Sequence, residues 1–339
     1  MLKLSRSTNV SLQSNFICME TDYSLSANDK RFQFHGSVGA LFKIFIINAL
    51  LTLVTLGFYY PWARAAMLQY FYRETELEGS TFQFHGTGKE MFFGMLKAVG
   101  IFIVLGAVAG LLGYLVHQVV GILFFYLALI ALIPFAIVGS LKYRYSRSSY
   151  RGIYFGYRGT AGNMAKVYLG GIFLTIITFG IYGAWLMVAL QREITKNSRF
   201  GSIEFEFVGD GGTLFGKFIL GYIFTILSLG IYSFWYIADL HNYFYNNTRI
   251  IQDGKVSHFH STQRGGDLLV LGLVNGLAVI FTLGLAIPWT IIRNHRYHAQ
   301  TLTIVGPLDL ASIQQTEASY SNATGDALVG DLNLDLNVI

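Results

Sequence analysis

Charge is scarce in this chain. Only 13% of its 339 residues are Asp, Glu, Lys or Arg, about half the share found in water-soluble domains, and the deficit argues against a soluble fold. Cysteine is scarcer: Cys18 is the only one, so no internal disulfide can form and no cysteine cluster can hold a metal. The first 28 residues lack the continuous apolar core of a secretory signal, and the expectation is that nothing is cleaved and insertion starts from the first hydrophobic run. No acidic residue stands deep in an apolar run, where a proton- or sodium-coupled carrier commonly places one.

What the chain has instead is grease. Leu41–Tyr60, Ala98–Val116, Val119–Leu141, Met164–Leu190, Leu214–Ala238 and Leu268–Ile292 approach or exceed the roughly 20 residues needed to cross a bilayer. They predict an α-helical, multi-pass integral membrane protein built from internal repeats: six long hydrophobic segments, with interfacial amphipathic helices and short β-strands between the units. The lipid bilayer is then the first partner. The net charge of +5 comes from residues flanking the runs, so it reads as a topology signal and not as a nucleic-acid footprint.

The repeats are visible as words. Gly57, Gly180, Gly230 and Gly284 are each followed five positions later by Trp62, Trp185, Trp235 and Trp289, in TLGFYYPW, TFGIYGAW, SLGIYSFW and TLGLAIPW. Twenty-one residues before the first three of those glycines, FQFHG, FGYRG and FEFVG end at Gly36, Gly159 and Gly209. FQFHG recurs at Phe82, and SHFHS, with Ser261 in the glycine's place, opens the last unit. The organisation predicted is a polar tail over 1–30, a membrane domain over 31–306 with units at about 31–80, 81–152, 153–202, 203–254 and 255–306, and an acidic disordered tail over 307–339. The alternating Phe words read as half-buried strands. The glycine–aromatic–tryptophan word reads as a helix break at the headgroup level, followed by a helix lying along the interface.

The basic cluster Lys142, Arg144, Arg147, Arg151 and Arg158 belongs in the cytoplasm, which puts the join at His117–Gln118 outside. Beyond it two topologies stand open: successive crossings, or units that dip in and return so that every strand stays on one side.

No nucleophile, base and orienter set emerges, and no metal or cofactor site. Gly86-Thr87-Gly88-Lys89-Glu90 lacks the Ser or Thr and the first glycine of a phosphate loop. Lys43, Lys166 and Lys217 read as snorkelling anchors at the starts of runs. Asn48 and Asn275 lie deeper, as glue between helices or as a solute site, and Asp239 is read at a polar entrance.

FQFHG, TLGFYYPW, TFGIYGAW and SLGIYSFW, recurring over Arg31 to Gly306, resemble the words of the YjgN-like bacterial inner-membrane proteins, a domain-of-unknown-function family. The resemblance implies a multi-pass protein of the bacterial cytoplasmic membrane and carries over no catalytic residues. The functional expectation is a transporter or channel for a small solute, because repeated broken helices point to a midplane site. The alternative is a non-catalytic scaffold that organises envelope proteins or lipid, with a second copy of the chain as a candidate partner; an embedded enzyme ranks behind both.

Overall fold

The computed structural model describes residues 29–316; Cys18, most of the amino-terminal tail and residues 317–339 of the acidic tail lie outside them. In the Phe-x-Phe words, alternate residues turn to the same side, and where that side is apolar the stretch is a strand with one face to bury. Each such strand opens an excursion of two helices and is matched by a second strand on the way back. The order is β1 (Lys30–Phe34), α1 (Val38–Val54), α2 (Tyr60–Glu74), β2 (Thr75–Leu77); β3 (Ser80–Phe84), α3 (Gly88–Leu115), α4 (Gln118–Ser146), β4 (Ser148–Tyr150); β5 (Ile153–Tyr157), α5 (Ala161–Ile177), α6 (Gly183–Asn197), β6 (Ser198–Phe200); β7 (Ile203–Phe207), α7 (Gly211–Leu227), α8 (Ser233–Asn246), β8 (Thr248–Gln252); and β9 (Lys255–Ser261), α9 (Gly265–Phe281), α10 (Ile287–Gln300), β10 (Leu302–Val305).

The ten strands form one closed antiparallel barrel, with β1 pairing to β2 on one side and to β10 on the other. Neighbouring units join through tight loops. Glu78-Gly79, Arg151-Gly152 and Asp253-Gly254 have positive φ at both positions, the mirror-image turn whose twist suits a two-residue hairpin. These loops occupy one rim and all ten helices leave from the other, where each helix packs on its neighbours in sequence and α10 closes the ring on α1.

The helices start and turn for local reasons. Ser37, Thr87, Thr160 and Asp210 cap α1, α3, α5 and α7 by accepting a backbone N–H three residues on. At the far end of α1, Leu56 and Gly57 have φ of 49° and 93°; the pairs Phe179-Gly180, Leu229-Gly230 and Leu283-Gly284 repeat this to within a few degrees. The Gly57 N–H reaches back to the Thr52 carbonyl at 2.7 Å, closing the helix end. The Thr55 hydroxyl donates to the Leu51 carbonyl and accepts from the Tyr59 N–H at 3.0 Å, so one side chain finishes α1 and starts α2. Thr178, Ser228 and Thr282 receive the same N–H bond at 2.8–3.0 Å. The word read as a break at the headgroups is therefore a chain reversal.

This overturns the expected fold class. The molecule is not a six-span helical membrane protein but a closed ten-strand barrel carrying five helical hairpins. Met164–Leu190, Leu214–Ala238 and Leu268–Ile292 each run through a reversal and contain both arms of a hairpin, while Leu41–Tyr60 is one arm plus its turn. Among the described residues only α3 and α4, at 28 and 29 residues, are long and apolar enough to cross a membrane. Helices apolar on every side show no periodicity, so an apolar run counted through a turn looks like one long helix.

The bore is filled. At one level the odd strands contribute Phe32, Phe82, Phe155, Phe205 and Phe259, and their pairing partners on the even strands are Leu77, Tyr150, Phe200, Ile250 and Ile304. All ten belong to one apolar cluster. Leu308, Leu310 and Ile313 complete it, so residues 307–316 lie as a plug over the hairpin rim. The plug is pinned by Gln252, whose side chain exchanges hydrogen bonds with the Asp309 backbone at 2.8 and 2.9 Å, and by Gln315, which accepts from the Tyr154 N–H at 2.8 Å.

Replacing Gly230 by Val forces a β-branched residue into the left-handed region, and is expected to cost about 1–2 kcal/mol of stability. Gly216, inside α7 with open space at its Cβ, gives the opposite sign: Gly216→Ala is expected to gain about 0.5–1 kcal/mol. Thermal unfolding in detergent reads both.

Candidate functional site

Contacts between units use the repeated words. Trp62, Trp185 and Trp235 lie against the first residue of the next unit's first helix; a Cβ on Gly88, Gly211 or Gly265 would stand 2.4, 2.3 and 2.3 Å from the indole, closer than real Cβ contacts allow. Trp62 also stacks on Tyr59 and meets Phe92, and Trp185 does the same with Tyr182 and Phe215. Trp289 instead carries the Arg293 guanidinium over its ring at 4.5 Å. Gly57, Gly180, Gly230 and Gly284 sit at the hairpin tips with positive φ and take no part in these ring contacts.

Seven residues after each tryptophan a polar side chain holds the next unit. Gln69 donates to the Gly86 carbonyl at 3.0 Å, Arg192 to Gly209 at 3.0 Å and Asn242 to Gln263 at 2.9 Å, and Arg296 closes the ring on Gly36 at 3.3 Å. The pairing of Phe259 with Ile304 aligns Phe259 with Phe32. The residue standing in the glycine's place in the last unit is thus Gln263, not Ser261, and it too precedes Gly284 by twenty-one positions. The Gln263 side chain bridges His241 and His298 at 2.9 and 3.0 Å.

The candidate residues of the apolar runs fall in different places. Asn48 and Asn275 each lie eleven residues after the cap of their helix and are buried. Asn275 donates to Asn294 at 3.0 Å and accepts from Arg293 at 2.9 Å, tying α9 to α10. Gly171 and Gly221 hold the equivalent place in α5 and α7, where a Cβ would strike Leu186 and Tyr236, so this is the point of closest approach within a hairpin. Asp239 is exposed on α8. Nothing brings these three residues together.

The base of the longest hairpin carries an ion pair between a buried arginine and a half-buried glutamate. Glu90 completes a capping box with Thr87 at the start of α3, and Arg147, at the end of α4, reaches Glu90 at 2.9 Å through one nitrogen and 3.3 Å through another. With Tyr143 donating at 3.3 Å, the carboxylate locks both feet of the hairpin. Beside it the His85 imidazole contacts the Ser149 hydroxyl at 2.8 Å; burial, then the Arg147 charge, hold its pKa below the usual value.

Above the ring of phenylalanines, toward the helices, lies a chamber of about 440 Å³. Its floor is Phe32, Phe82 and Phe155. Its walls are the feet of α2, α4 and α10, with Phe71, Leu141, Tyr145 and His295. The His295 ring stacks on Phe71 at 4.1 Å. Arg144 also lines the space. This site was invisible in the sequence, because its residues come from units one, two, three and five; the repeated first Phe of each word was the one available signal. No group of three or more His, Cys, Asp or Glu among the described residues is placed to hold a metal ion.

The family described as "Bacterial protein of unknown function (DUF898)" matches residues 29–220, 202–256 and 252–331. The chain belongs to this family. It is similar to "Inner membrane protein YjgN" of Salmonella typhimurium strain LT2, 35% identical over 126 residues, which is 37% of this chain and 30% of that protein. The protein of the same name in Escherichia coli O157:H7 is 32% identical over 130 residues, again 37% and 30% of the two lengths. In Escherichia coli strain K12 the identity is 40% over 65 residues, 19% of this chain and 16% of the relative. The chain thus covers less than a third of the length of these curated relatives. No solved structure matches it.

Tyr157, at the end of β5 and stacked on the chamber's Tyr145, supplies a pH test. Burial first, then the Glu193 charge, push its phenol up to about 12, and its hydroxyl has no hydrogen-bond partner among the described residues. The folded state therefore keeps the proton where an unfolded tyrosine, with a pKa near 10, loses it. Its contribution is complete below about pH 10 and is lost as pH rises toward 12. Tyr157→Phe is expected to match or exceed the parent in thermal stability at pH 7, since an unpaired buried hydroxyl is removed, and to lose less between pH 10 and 12. A melting series across that range reads both effects.

Proposed function

We propose that this is a bacterial inner-membrane protein whose barrel stands at the cytoplasmic face, and that it works as a non-catalytic, non-transporting scaffold with four of its five hairpins seated in one leaflet. The observation that carries the reading is the combination of a filled bore with hairpins of unequal reach. Phe rings and the 307–316 plug leave no open passage through the barrel axis. Arms of 17 residues extend about 25 Å, short of the roughly 30 Å hydrocarbon core, whereas α3 and α4 extend about 42 Å. One hairpin thus crosses and returns, and four enter and turn back.

Lipid as the surrounding solvent is supported by the tips. Phe179 is 98% exposed, Leu229 95%, Leu283 94% and Leu56 89%, an arrangement that water penalises and hydrocarbon rewards. The cytoplasmic side is supported by charge, for Lys89, Lys142, Arg147, Arg192 and Lys196 gather at the feet of the hairpins while the far tip, Leu115 to Gln118, has no Lys or Arg. Family membership and the names of the relatives support the inner membrane as the location. We further infer that the five β-α-α-β units are internal repeats of one ancestral hairpin module.

Two measurements test this. In a Cys18→Ser background, a membrane-impermeant maleimide added to intact cells is expected to label His117→Cys, to label Gly79→Cys only after permeabilisation, and to leave Leu229→Cys unlabelled throughout. Proteoliposomes of the full chain are expected to show no solute flux above protein-free vesicles across a broad panel; reproducible flux of any solute would sink the scaffold reading in favour of translocation.

A further inference from the structure

The scaffold reading gives the 440 Å³ chamber no task, yet its lining is not that of a packing defect. Voids left by imperfect packing are apolar throughout. Here Arg144 reaches the space, and among the described residues no ion pair or hydrogen bond engages its guanidinium. The two hydroxyls of Ser148 and Thr75 at the wall are already committed: the Ser148 hydroxyl donates to the Arg144 carbonyl at 2.7 Å, and the Thr75 hydroxyl to the Phe71 carbonyl at 2.7 Å. Arg144 is an exposed residue, and a guanidinium with no partner among the described residues keeps its fork of donors free for an anion.

We propose that the chamber binds an anionic single-chain amphiphile, its oxyanion head on Arg144 and its hydrocarbon chain across Phe32, Phe82 and Phe155. The guanidinium fork matches both a carboxylate and a phosphate, and the volume falls within the roughly 300–1,000 Å³ of small-molecule sites. The apolar floor and walls select against a free inorganic anion, which would leave them unused. The His295 edge, held by its stack on Phe71, adds a second polar group beside the head. A chamber at the feet of hairpins whose tips are bare hydrocarbon is within reach of amphiphiles that partition at the membrane surface. This inference goes beyond the scaffold reading and does not rest on it, since a flux assay can fail or succeed without altering the chamber.

The test is binding to the full chain in a nonionic detergent, read by native mass spectrometry with oleate, 1-oleoyl lysophosphatidate, oleyl alcohol and inorganic phosphate as probes. Oleate and lysophosphatidate are expected to bind one per chain, oleyl alcohol about tenfold or more weakly and phosphate not at all, a tenfold change being about 1.4 kcal/mol. Arg144→Met is expected to weaken oleate about tenfold or more, within the range of charged hydrogen bonds, and to leave oleyl alcohol unchanged. Phe82→Trp, which fills the space, is expected to weaken every amphiphile, and Arg73→Met, on an exposed face beside Glu74, none. Oleyl alcohol binding as tightly as oleate, an Arg144→Met chain that holds oleate as well as the parent, or a Phe82→Trp chain that holds it undiminished would each overturn the proposal; tight phosphate binding would overturn the amphiphile in favour of a soluble anion.

Discussion

The architecture depends on the seam where the first strand meets the last. Lys30 pairs with Ile304 and Arg31 with Thr303, and with those backbone bonds made the sheet has no edge. Once both strands of every unit belong to one ring, each helical excursion must come back to the rim it left. The seam therefore decides that the hairpins lie side by side, and Arg296, donating to the Gly36 carbonyl, repeats the closure one layer above. The filled bore is the complement of this ring, since ten apolar side chains at one level give the short strands a core that none would have alone.

Much of this was written in the chain, but in a form that misleads without the third dimension. The Phe-x-Phe alternation marks the odd strands correctly because their inner face is a uniform core. Three of the even strands, Thr75–Leu77, Ser148–Tyr150 and Ser198–Phe200, are three residues long and carry no period, although the Glu78-Gly79 and Arg151-Gly152 turns flag where the first two end. Thr-Leu-Gly was legible as a helix end but not as a reversal, because a left-handed Leu at an exposed apolar tip carries no polar signature. The chamber was illegible for another reason. Arg144 belongs, by sequence, to a dense basic cluster that reads as a topology signal, and only the ring brings it over Phe32 and Phe155.

Two further sets of glycines follow one rule. Gly36, Gly86 and Gly209 let the chain fold back over the Phe two residues before, where a Cβ would lie 2.4–2.5 Å from the ring. Gly88, Gly211 and Gly265 receive a tryptophan from the neighbouring unit. In both cases an aromatic ring occupies the volume that a side chain would have used, so cohesion between units comes from aromatic faces laid on bare backbone. The last unit departs from this by placing Gln263 at the fold-back, and the polar bridge from His241 to His298 takes the place of the aromatic lid.

Unit two alone carries the long hairpin, and it stands on the perimeter of the ring instead of its axis. Among the described residues α3 and α4 alone continue beyond the depth of the other tips. On the membrane placement proposed above, the described residues would form a wedge with an off-centre peg: broad in one half of the bilayer, two helices wide in the other. Unequal displaced area between two coupled monolayers is relieved by bending them, so that placement would carry an intrinsic preference for curved membrane and, because the peg is eccentric, a preferred direction of tilt.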